Sequence, residues 1–204
     1  MAYQDPVVRQ VVDLLETQYE LIKQEYHARA PNLPSDYRTD TEHHTLHSNE
    51  WKWHSFMEKG QLLDSFASKF SQTSSILQSL RDEELLLEGL PFGYAFFSTL
   101  SPNSTIAAHS SPMNLRLRLH LGLDIPSSDV DECGLQVASQ KVVWIEGKAM
   151  CLDDSYVHQV WNHTQQPRVV LLVDIWHPDV SKQERADIIG MFDHARELGW
   201  WKAS

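Results

Sequence analysis

The chain has 204 residues, of which 42% are hydrophobic and 22% charged, a composition that is ordinary for one water-soluble globular domain. Its formal net charge of -11 argues against a nucleic-acid-binding protein, because a phosphate-binding surface requires a positive field. No segment approaches the length of apolar sequence that spans a bilayer, so no membrane association is predicted.

The start of the chain, MAYQDPVVRQ, has neither the basic start nor the apolar core of a signal peptide. Only Cys133 and Cys151 are present, which predicts no disulfide framework. The glycosylation sequons at Asn103 and Asn162 are then interpreted as accidental. We therefore expect a cytoplasmic protein that forms a single domain over residues 1–204.

The N-terminal part, residues 1–90, is predicted to be helical and to pack on the rest of the domain. Apolar residues recur at helical spacing over residues 6–28, with Pro6 near the first turn. Residues 61–81 have the same spacing, although their polar run SQTSS argues against one uninterrupted helix. The aromatic-rich residues 31–60 between them show no clear periodicity.

From Pro91 onward the sequence changes to short β-like runs separated by Pro, Gly, Asn and Asp. The eight runs are YAFFSTL, TIAAH, LRLRLHLGL, CGLQVAS, QKVVWIEG, AMCLDDS, VHQVWNH and RVVLLVDIW. Short strands at this density are typical of an antiparallel sandwich or barrel. Residues 91–180 are therefore predicted to form a jelly-roll core.

The last segment, residues 181–204, is predicted to be a helix. Ser181 is a suitable N-cap residue, and Glu184 completes the pattern of a capping box. The helix is expected to reach about Leu198, where Gly199 can end it. The predicted fold class is mainly β with flanking helices, namely a double-stranded β-helix core (jelly roll, cupin-like), N-terminal helices and one C-terminal helix.

One of the β-like runs alternates without a slip between leucine and the polar residues Arg116, Arg118 and His120. The simplest interpretation is a strand with one face in solvent. The alternative is a site that holds an anion, because arginine binds carboxylates through two parallel hydrogen bonds.

Three further residues bear on this choice. His109 precedes the alternating run, His158 heads a later strand, and Arg168 begins the strand after that. In a jelly roll these strands would be neighbours, so the side chains could share one cavity. Two histidines from separate strands can bind a divalent metal through neutral imidazole, with an arginine nearby to bind a carboxylate.

Four separated blocks of the sequence resemble the aspartyl/asparaginyl β-hydroxylase family of iron(II)- and 2-oxoglutarate-dependent oxygenases. They are H-S-S-P-x-N-L-R-L-R-L-H-L-G-L from His109, W-I-E-G-K from Trp144, D-D-S-x-x-H-x-V-W from Asp153 and D-I-W-H-P from Asp174. The blocks occur in the order of the family, and the resemblance extends over residues 49–185.

The resemblance implies that His109 and His158 are the two protein ligands of iron(II). Many oxygenases with this barrel add an Asp or Glu two residues after the first histidine. The family is unusual in lacking that carboxylate and normally has glycine there, whereas this chain has Ser111. We expect water to complete the coordination sphere.

The resemblance also implies a site for the cosubstrate 2-oxoglutarate. Arg168 matches the family's arginine for one carboxylate, with Ser98 and His120 beside it, and Arg118 matches a second arginine near the cosubstrate. The polar face of the alternating run would then point into the barrel.

Residues for the prime substrate are assigned less directly. Arg116 is a candidate for an acidic group of the substrate, Trp53 for the substrate entrance, and Asp154 either for substrate or for the loop that carries His158. The triplet of His43, His44 and His47 resembles a metal cluster, but a polar loop is the preferred interpretation.

The function implied by the resemblance is hydroxylation of a small molecule, amino acid or peptide, with iron(II), 2-oxoglutarate and O2, producing succinate and CO2. The best-known members hydroxylate Asp or Asn in extracellular domains from behind a membrane anchor. That branch has an arginine for its acidic substrate just before the position of Trp51, where EHHTLHSNE contains none. Hydroxylation of Asp or Asn in a protein substrate remains an alternative, as does a non-catalytic jelly-roll binding protein.

Overall fold

The computed structural model describes residues 4–37, 47–48 and 50–200, and four helices lie in its N-terminal part. They are α1 (Pro6–Thr17), α2 (Tyr19–Arg29), α3 (Asp64–Lys69) and α4 (Ser71–Asp82), with one turn of 3-10 helix (Ala30–Asn32) after α2. The carboxylate of Asp5 caps α1 by accepting the N–H groups of Val7 and Val8. The helix predicted over residues 6–28 is therefore two helices that meet at Gln18.

Residues 61–81 do not form one uninterrupted helix, as expected, but the break falls at Phe70, and the polar run SQTSS forms the start of α4. This polar run can begin a helix because of a tertiary contact from Glu25 of α2. Its buried carboxylate accepts the N–H groups of Gln72 at 2.9 Å and Thr73 at 2.7 Å. These groups would otherwise lack partners at the start of the helix.

The described part of the chain contains ten strands. They are β1 (Trp51–Glu58), β2 (Gln61–Leu62), β3 (Ala95–Leu100), β4 (Ser104–His109), β5 (Arg116–Asp124), β6 (Cys133–Val137), β7 (Gln140–Val142), β8 (Ala149–Leu152), β9 (His158–Asn162) and β10 (Arg168–Trp176). All eight predicted β-like runs form strands. Strands β1 and β2 were not predicted from the sequence.

The strands form two antiparallel sheets. One has six strands in the order β2-β1-β3-β10-β5-β8, and the other has four in the order β4-β9-β6-β7. Apolar side chains from both sheets pack together between them, among them Leu100 and Val170 from the larger sheet with Leu135 and Val160 from the smaller. This mainly antiparallel arrangement with external helices is the predicted double-stranded β-helix.

The alternation in β5 separates two different environments. Leu117, Leu119 and Leu121 are buried against the N-terminal helices on the outer face of the larger sheet. Arg116 and His120 are also buried, but on the opposite, inner face. A slip of one residue would exchange the two sets, so burial of the leucines fixes which polar side chains enter the barrel.

The C-terminal helix α5 (Lys182–Glu197) begins with the predicted capping box, in which Ser181 and Glu184 exchange both hydrogen bonds. Ile188, Ile189 and Phe192 pack this helix on a cluster that includes Trp176. No helix in the part of the chain described here is both long enough and apolar enough to cross a membrane.

Candidate active site

Two histidines face each other where β4 and β9 pair. His109 and His158 are cross-strand partners, and their ring centroids are 4.2 Å apart. The Nδ1 atom of His109 lies 2.8 Å from the carbonyl oxygen of Ala107, and that of His158 lies 2.9 Å from the carbonyl oxygen of Tyr156. Since a carbonyl oxygen can only accept, both rings carry hydrogen on Nδ1. This leaves the Nε2 lone pairs for a metal ion.

The surroundings of both rings favour the neutral form that binds metals. Burial lowers the pKa of His109 and of His158, and the positive charge of Arg118 lowers each further. Metal binding therefore competes less with protons than it would at an exposed histidine.

Ser111 lies at the position where many related barrels have a carboxylate. Its N–H donates to the carbonyl oxygen of Asp154 at 2.8 Å, and its hydroxyl accepts a long hydrogen bond of 3.4 Å from the N–H of Met113. Among the described residues, no group of three or more His, Cys, Asp or Glu side chains is placed to hold a metal. The protein donors available at this point are thus the two imidazoles.

Arg168 is a buried cation without a compensating anion among the described residues. Its side chain is 2% exposed, and its guanidinium lies over the ring of Trp144 at 4.9 Å. One Nη1–H points to the hydroxyl oxygen of Ser98 at 3.4 Å. Among the described residues, Nε has no partner and no carboxylate lies within ion-pair distance. Burial lowers the pKa of Arg168 to about 10. Such a group is costly unless a ligand compensates its charge.

His120 and Ser98 present two further donors near Arg168. The indole N–H of Trp144 donates to Nδ1 of His120 at 3.1 Å, so the hydrogen of this buried ring is on Nε2, which has no partner within residues 4–37, 47–48 and 50–200. The Ser98 hydroxyl oxygen accepts from the indole N–H of Trp51 at 2.9 Å and from Arg168, which leaves its own O–H to donate. Three unused donors on the inner face of the larger sheet suit a carboxylate.

Burial, together with the positive charges of Arg118 and Arg168, holds the pKa of His120 well below its ordinary value. A neutral ring is therefore the form that offers its Nε2–H. Trp144, for which no role was predicted, orients His120 and also covers Arg168. Its presence in a matched block was the available signal.

The two remaining arginines of the predicted site are paired within the protein. Arg116 makes two hydrogen bonds to the carboxylate of Asp154, donates to the carbonyl oxygen of Phe92, and lies 3.1 Å from a carboxylate oxygen of Asp174. Arg118 donates to both carboxylate oxygens of Asp174, at 2.7 and 2.8 Å, and lies 3.2 Å from Asp154. The four side chains form a compact charge cluster without net charge.

Asp154 is 1% exposed and serves both as an acceptor for Arg116 and as a link between loops. Burial would raise the pKa of its carboxyl group, but the charges of Arg118 and Arg116 outweigh that and lower the pKa to about 2. A direct role in substrate binding stays a prediction, as does cosubstrate binding by Arg118.

We expect Asp174→Ala to lower the free energy of unfolding by about 3–5 kcal/mol, because it leaves Arg118 buried without its main partner. Urea unfolding measures this loss. Asp193→Ala is the control, because it removes an exposed ion pair with Arg196 in α5 and should hardly move the midpoint. Equal midpoints in the two variants would refute the importance of the cluster.

Trp53 lies within a cluster of aromatic rings. Its ring stacks on Phe96 with centroids 4.1 Å apart and contacts Trp51 at 4.9 Å and Tyr37 at 4.7 Å. The ring of His47 packs on the same cluster. Packing accounts for these contacts, and a substrate role for Trp53 stays a prediction.

His43 and His44 lie outside the described residues, so the structure does not address the predicted alternatives for that triplet. His109, His158, Ser98, Arg168 and His120 all lie on strands that line the barrel. The structure therefore places the predicted ligand pair and the predicted anion-binding residues in one barrel.

Comparison with known proteins also identifies a hydroxylase family. The family model described as aspartyl/asparaginyl beta-hydroxylase matches residues 16–178. The chain is 32% identical to aspartate beta-hydroxylase domain-containing protein 2 of Rattus norvegicus, over 91% of this chain and 53% of that protein. It is 34% identical to the ornithine lipid ester-linked acyl 2-hydroxylase of Rhizobium tropici, over 80% of this chain and 56% of that protein.

The chain thus spans about half the length of these curated relatives. Among solved structures, a prolyl-4-hydroxylase from Pseudomonas putida aligns with a TM-score of 0.44 and 15% identity, covering 81% of this chain and 87% of that one. That likeness is distant, whereas the family match covers most of the sequence. The chain belongs to the aspartyl/asparaginyl β-hydroxylase family.

Proposed function

We propose that this protein is an iron(II)- and 2-oxoglutarate-dependent oxygenase that hydroxylates a small molecule, amino acid or peptide. The observation that carries the proposal is Arg168, a buried cation whose Nε donor has no partner in the described part of the chain. A dicarboxylate such as 2-oxoglutarate supplies the missing charge and acceptors. The family match supports a hydroxylase, and the pair of neutral histidines supports a metal.

His109 and His158 would hold iron(II) through their Nε2 atoms. Arg168, Ser98 and His120 would hold a carboxylate of 2-oxoglutarate. With O2, the bound iron and cosubstrate supply the oxidising chemistry, in which 2-oxoglutarate becomes succinate and CO2 and a C–H bond of the substrate becomes C–OH.

The residues of this chain contribute position and exclusion of water. The carbonyl oxygens of Ala107 and Tyr156 fix the two imidazoles, and Trp144 fixes His120. Apolar side chains such as Val160 and Leu152 pack in the core between the two sheets. The burial of Arg168 strengthens its pairing with an anion.

Two kinds of substrate are represented in the names of the relatives, an aspartate residue in one and the acyl group of an ornithine lipid in the other. Substrate identity therefore has to be tested without assuming either. We would incubate the protein with iron(II), 2-oxoglutarate and a metabolite extract, and search for masses that gain one oxygen. Succinate formed in step with that gain supports the proposal, and 2-oxoglutarate left unconsumed under every condition contradicts it.

Ser111→Gly is expected to keep both iron affinity and most of the hydroxylation activity. The contact that the structure shows for Ser111 at 2.8 Å uses its N–H, which glycine retains, and a neutral hydroxyl is a poor ligand for iron(II). Metal titration and succinate yield test this. Ser111→Asp is the companion variant, which adds a carboxylate at the same position. If glycine loses iron while aspartate is fully active, the two-histidine centre is misassigned.

A further inference from the structure

The loop between β7 and β8 carries Trp144 from the smaller sheet to the larger one. This loop is hydrogen bonded to β5 through two glycines. The N–H of Gly147 donates to the carbonyl oxygen of Gly122 at 3.0 Å, and the N–H of Gly122 donates to the carbonyl oxygen of Lys148 at 3.1 Å. The loop of Trp144 is therefore attached to the strand that carries His120.

The close approach of this loop to β5 requires a glycine at position 122. A Cβ atom at Gly122 would lie only 2.6 Å from the carbonyl oxygen of Ile145, so any other residue would push the loop away. Gly122 follows His120 by two residues and lies on the same face of the strand. The glycine of the LHLGL run and the tryptophan of the WIEGK block thus belong to one local structure.

The indole of Trp144 contacts two of the donors of the candidate anion site. Its N–H donates to Nδ1 of His120 at 3.1 Å, and the two ring planes are inclined by only 23°. The guanidinium of Arg168 lies over the same indole at 4.9 Å. A side chain that is itself 2% exposed is therefore packed against both groups.

The hydrogen bond to Nδ1 determines what His120 presents to a ligand. A neutral imidazole has one N–H, and turning the ring by 180° would replace each nitrogen by a carbon. While Trp144 donates to Nδ1, the hydrogen stays on Nε2, and the ring cannot turn without losing this bond. The Nε2 donor is therefore held in place before a ligand arrives, which lowers the cost of ordering the site on binding.

We propose that Trp144 is a positioning residue for the cosubstrate. Its indole N–H raises the affinity for 2-oxoglutarate by holding His120, and Gly122 allows the indole to reach that ring. This role rests on the proposed function, because it concerns the carboxylate site assigned there. Trp144 needs no contact with the cosubstrate, since it acts through His120. Its effect must therefore disappear when His120 is replaced.

Trp144→Phe isolates the contribution of the N–H, because phenylalanine keeps an aromatic face for Arg168. The full chain is loaded with zinc(II), a diamagnetic substitute for iron(II), and titrated calorimetrically with 2-oxoglutarate. Loss of one positioned hydrogen bond should weaken the binding of 2-oxoglutarate about two- to tenfold. In a His120→Phe background the same substitution should weaken binding no further, since the group that Trp144 positions is absent.

Nitrogen-15 NMR of the histidine side chains adds a readout that a general loss of packing would not give. In the wild type His120 should show one form, with its hydrogen on Nε2. In Trp144→Phe a second form should appear, in which the hydrogen is on Nδ1 or the ring has turned. Gly122→Ala should produce a second form as well, because the loop that carries Trp144 has to move away from β5.

Trp161→Phe is the matched control. The indole N–H of Trp161 donates to the carbonyl oxygen of Val130 at 2.7 Å, and Lys141 lies over its ring at 5.7 Å. The two tryptophans thus make the same kinds of contact, but Trp161 is on β9 of the smaller sheet. This variant should bind 2-oxoglutarate as the wild type does and leave the signals of His120 unchanged.

The proposal is overturned if Trp144→Phe binds 2-oxoglutarate as tightly as Trp161→Phe. It is also overturned if Trp144→Phe weakens binding by the same factor with and without His120, or if the signals of His120 do not change in Trp144→Phe. Each of these results leaves the proposed function intact when the wild type binds 2-oxoglutarate. Failure of the zinc(II)-loaded wild type to bind it instead contradicts the proposed function itself.

Discussion

Replacing His109 or His158 by alanine is expected to abolish the thermal stabilisation that iron(II) gives to the native protein. Each variant keeps a single imidazole where the wild type has two, and no described carboxylate is placed to replace the lost donor. A ligand at about 100 times its Kd stabilises the native state by about 2.7 kcal/mol, and this increment should disappear. Melting curves recorded with and without ferrous sulfate under nitrogen measure it.

His194→Ala is a suitable control for that experiment, since His194 is an exposed residue of α5. It should keep the full iron-dependent increment. Unchanged iron affinity in both His109→Ala and His158→Ala would remove the ligand assignment. A lower melting temperature without metal would by itself report only a loss of packing, so the increment is the quantity to compare.

Arg168→Met is expected to weaken 2-oxoglutarate binding on the order of a hundredfold or more while iron(II) still binds. The variant removes the buried guanidinium that would pair with a carboxylate of the cosubstrate. Without ligand, however, the same change removes an uncompensated buried charge, so the protein alone should be as stable as the wild type or more stable. Calorimetric titration and urea unfolding measure the two effects.

Arg168→Lys separates charge from geometry. Lysine keeps the positive charge but not the planar fork that can bind a carboxylate through two hydrogen bonds. The affinity of this variant for 2-oxoglutarate should therefore lie between those of the wild type and Arg168→Met. Equal affinity for 2-oxoglutarate in all three would refute the role of Arg168. A purely structural role predicts a different pattern, in which Arg168→Met loses stability in the absence of ligand.

The strands of the core were predictable from the sequence because their signals are local. In β5 the leucines and the polar residues alternate, and the structure confirms the strand, whose leucines are buried against helices. The capping box of Ser181 and Glu184 is equally local and was also confirmed. Local patterns sufficed wherever one face of an element differs chemically from the other.

The elements that were not predicted from the sequence depend on distant partners. Strand β1 is partly or fully buried along its whole length, and its WKWHSFME sequence mixes aromatic and charged residues without a regular alternation. The polar start of α4 is stabilised by Glu25, which is 47 residues away from Gln72. A cap that is supplied by a residue of another helix cannot be predicted from the local sequence.

The composition of the candidate site was predictable, but its pairing was not. The resemblance identified the histidines and arginines, whereas only the strand register shows that Arg118 lies opposite Asp174. That register separates Arg118, which has two carboxylate partners, from Arg168, which has none among the residues that the structure describes. The difference decides which arginine is free to bind an anion.

Titration of 2-oxoglutarate into the iron(II)-loaded protein under nitrogen tests the central claim most directly. We predict binding of one equivalent that weakens sharply when iron(II) is removed, because both the histidine pair and Arg168 would contribute. Glutarate, which keeps the carboxylates but lacks the 2-oxo group, should bind weakly and without dependence on iron. No binding of 2-oxoglutarate, or equal binding with and without iron(II), would contradict the account.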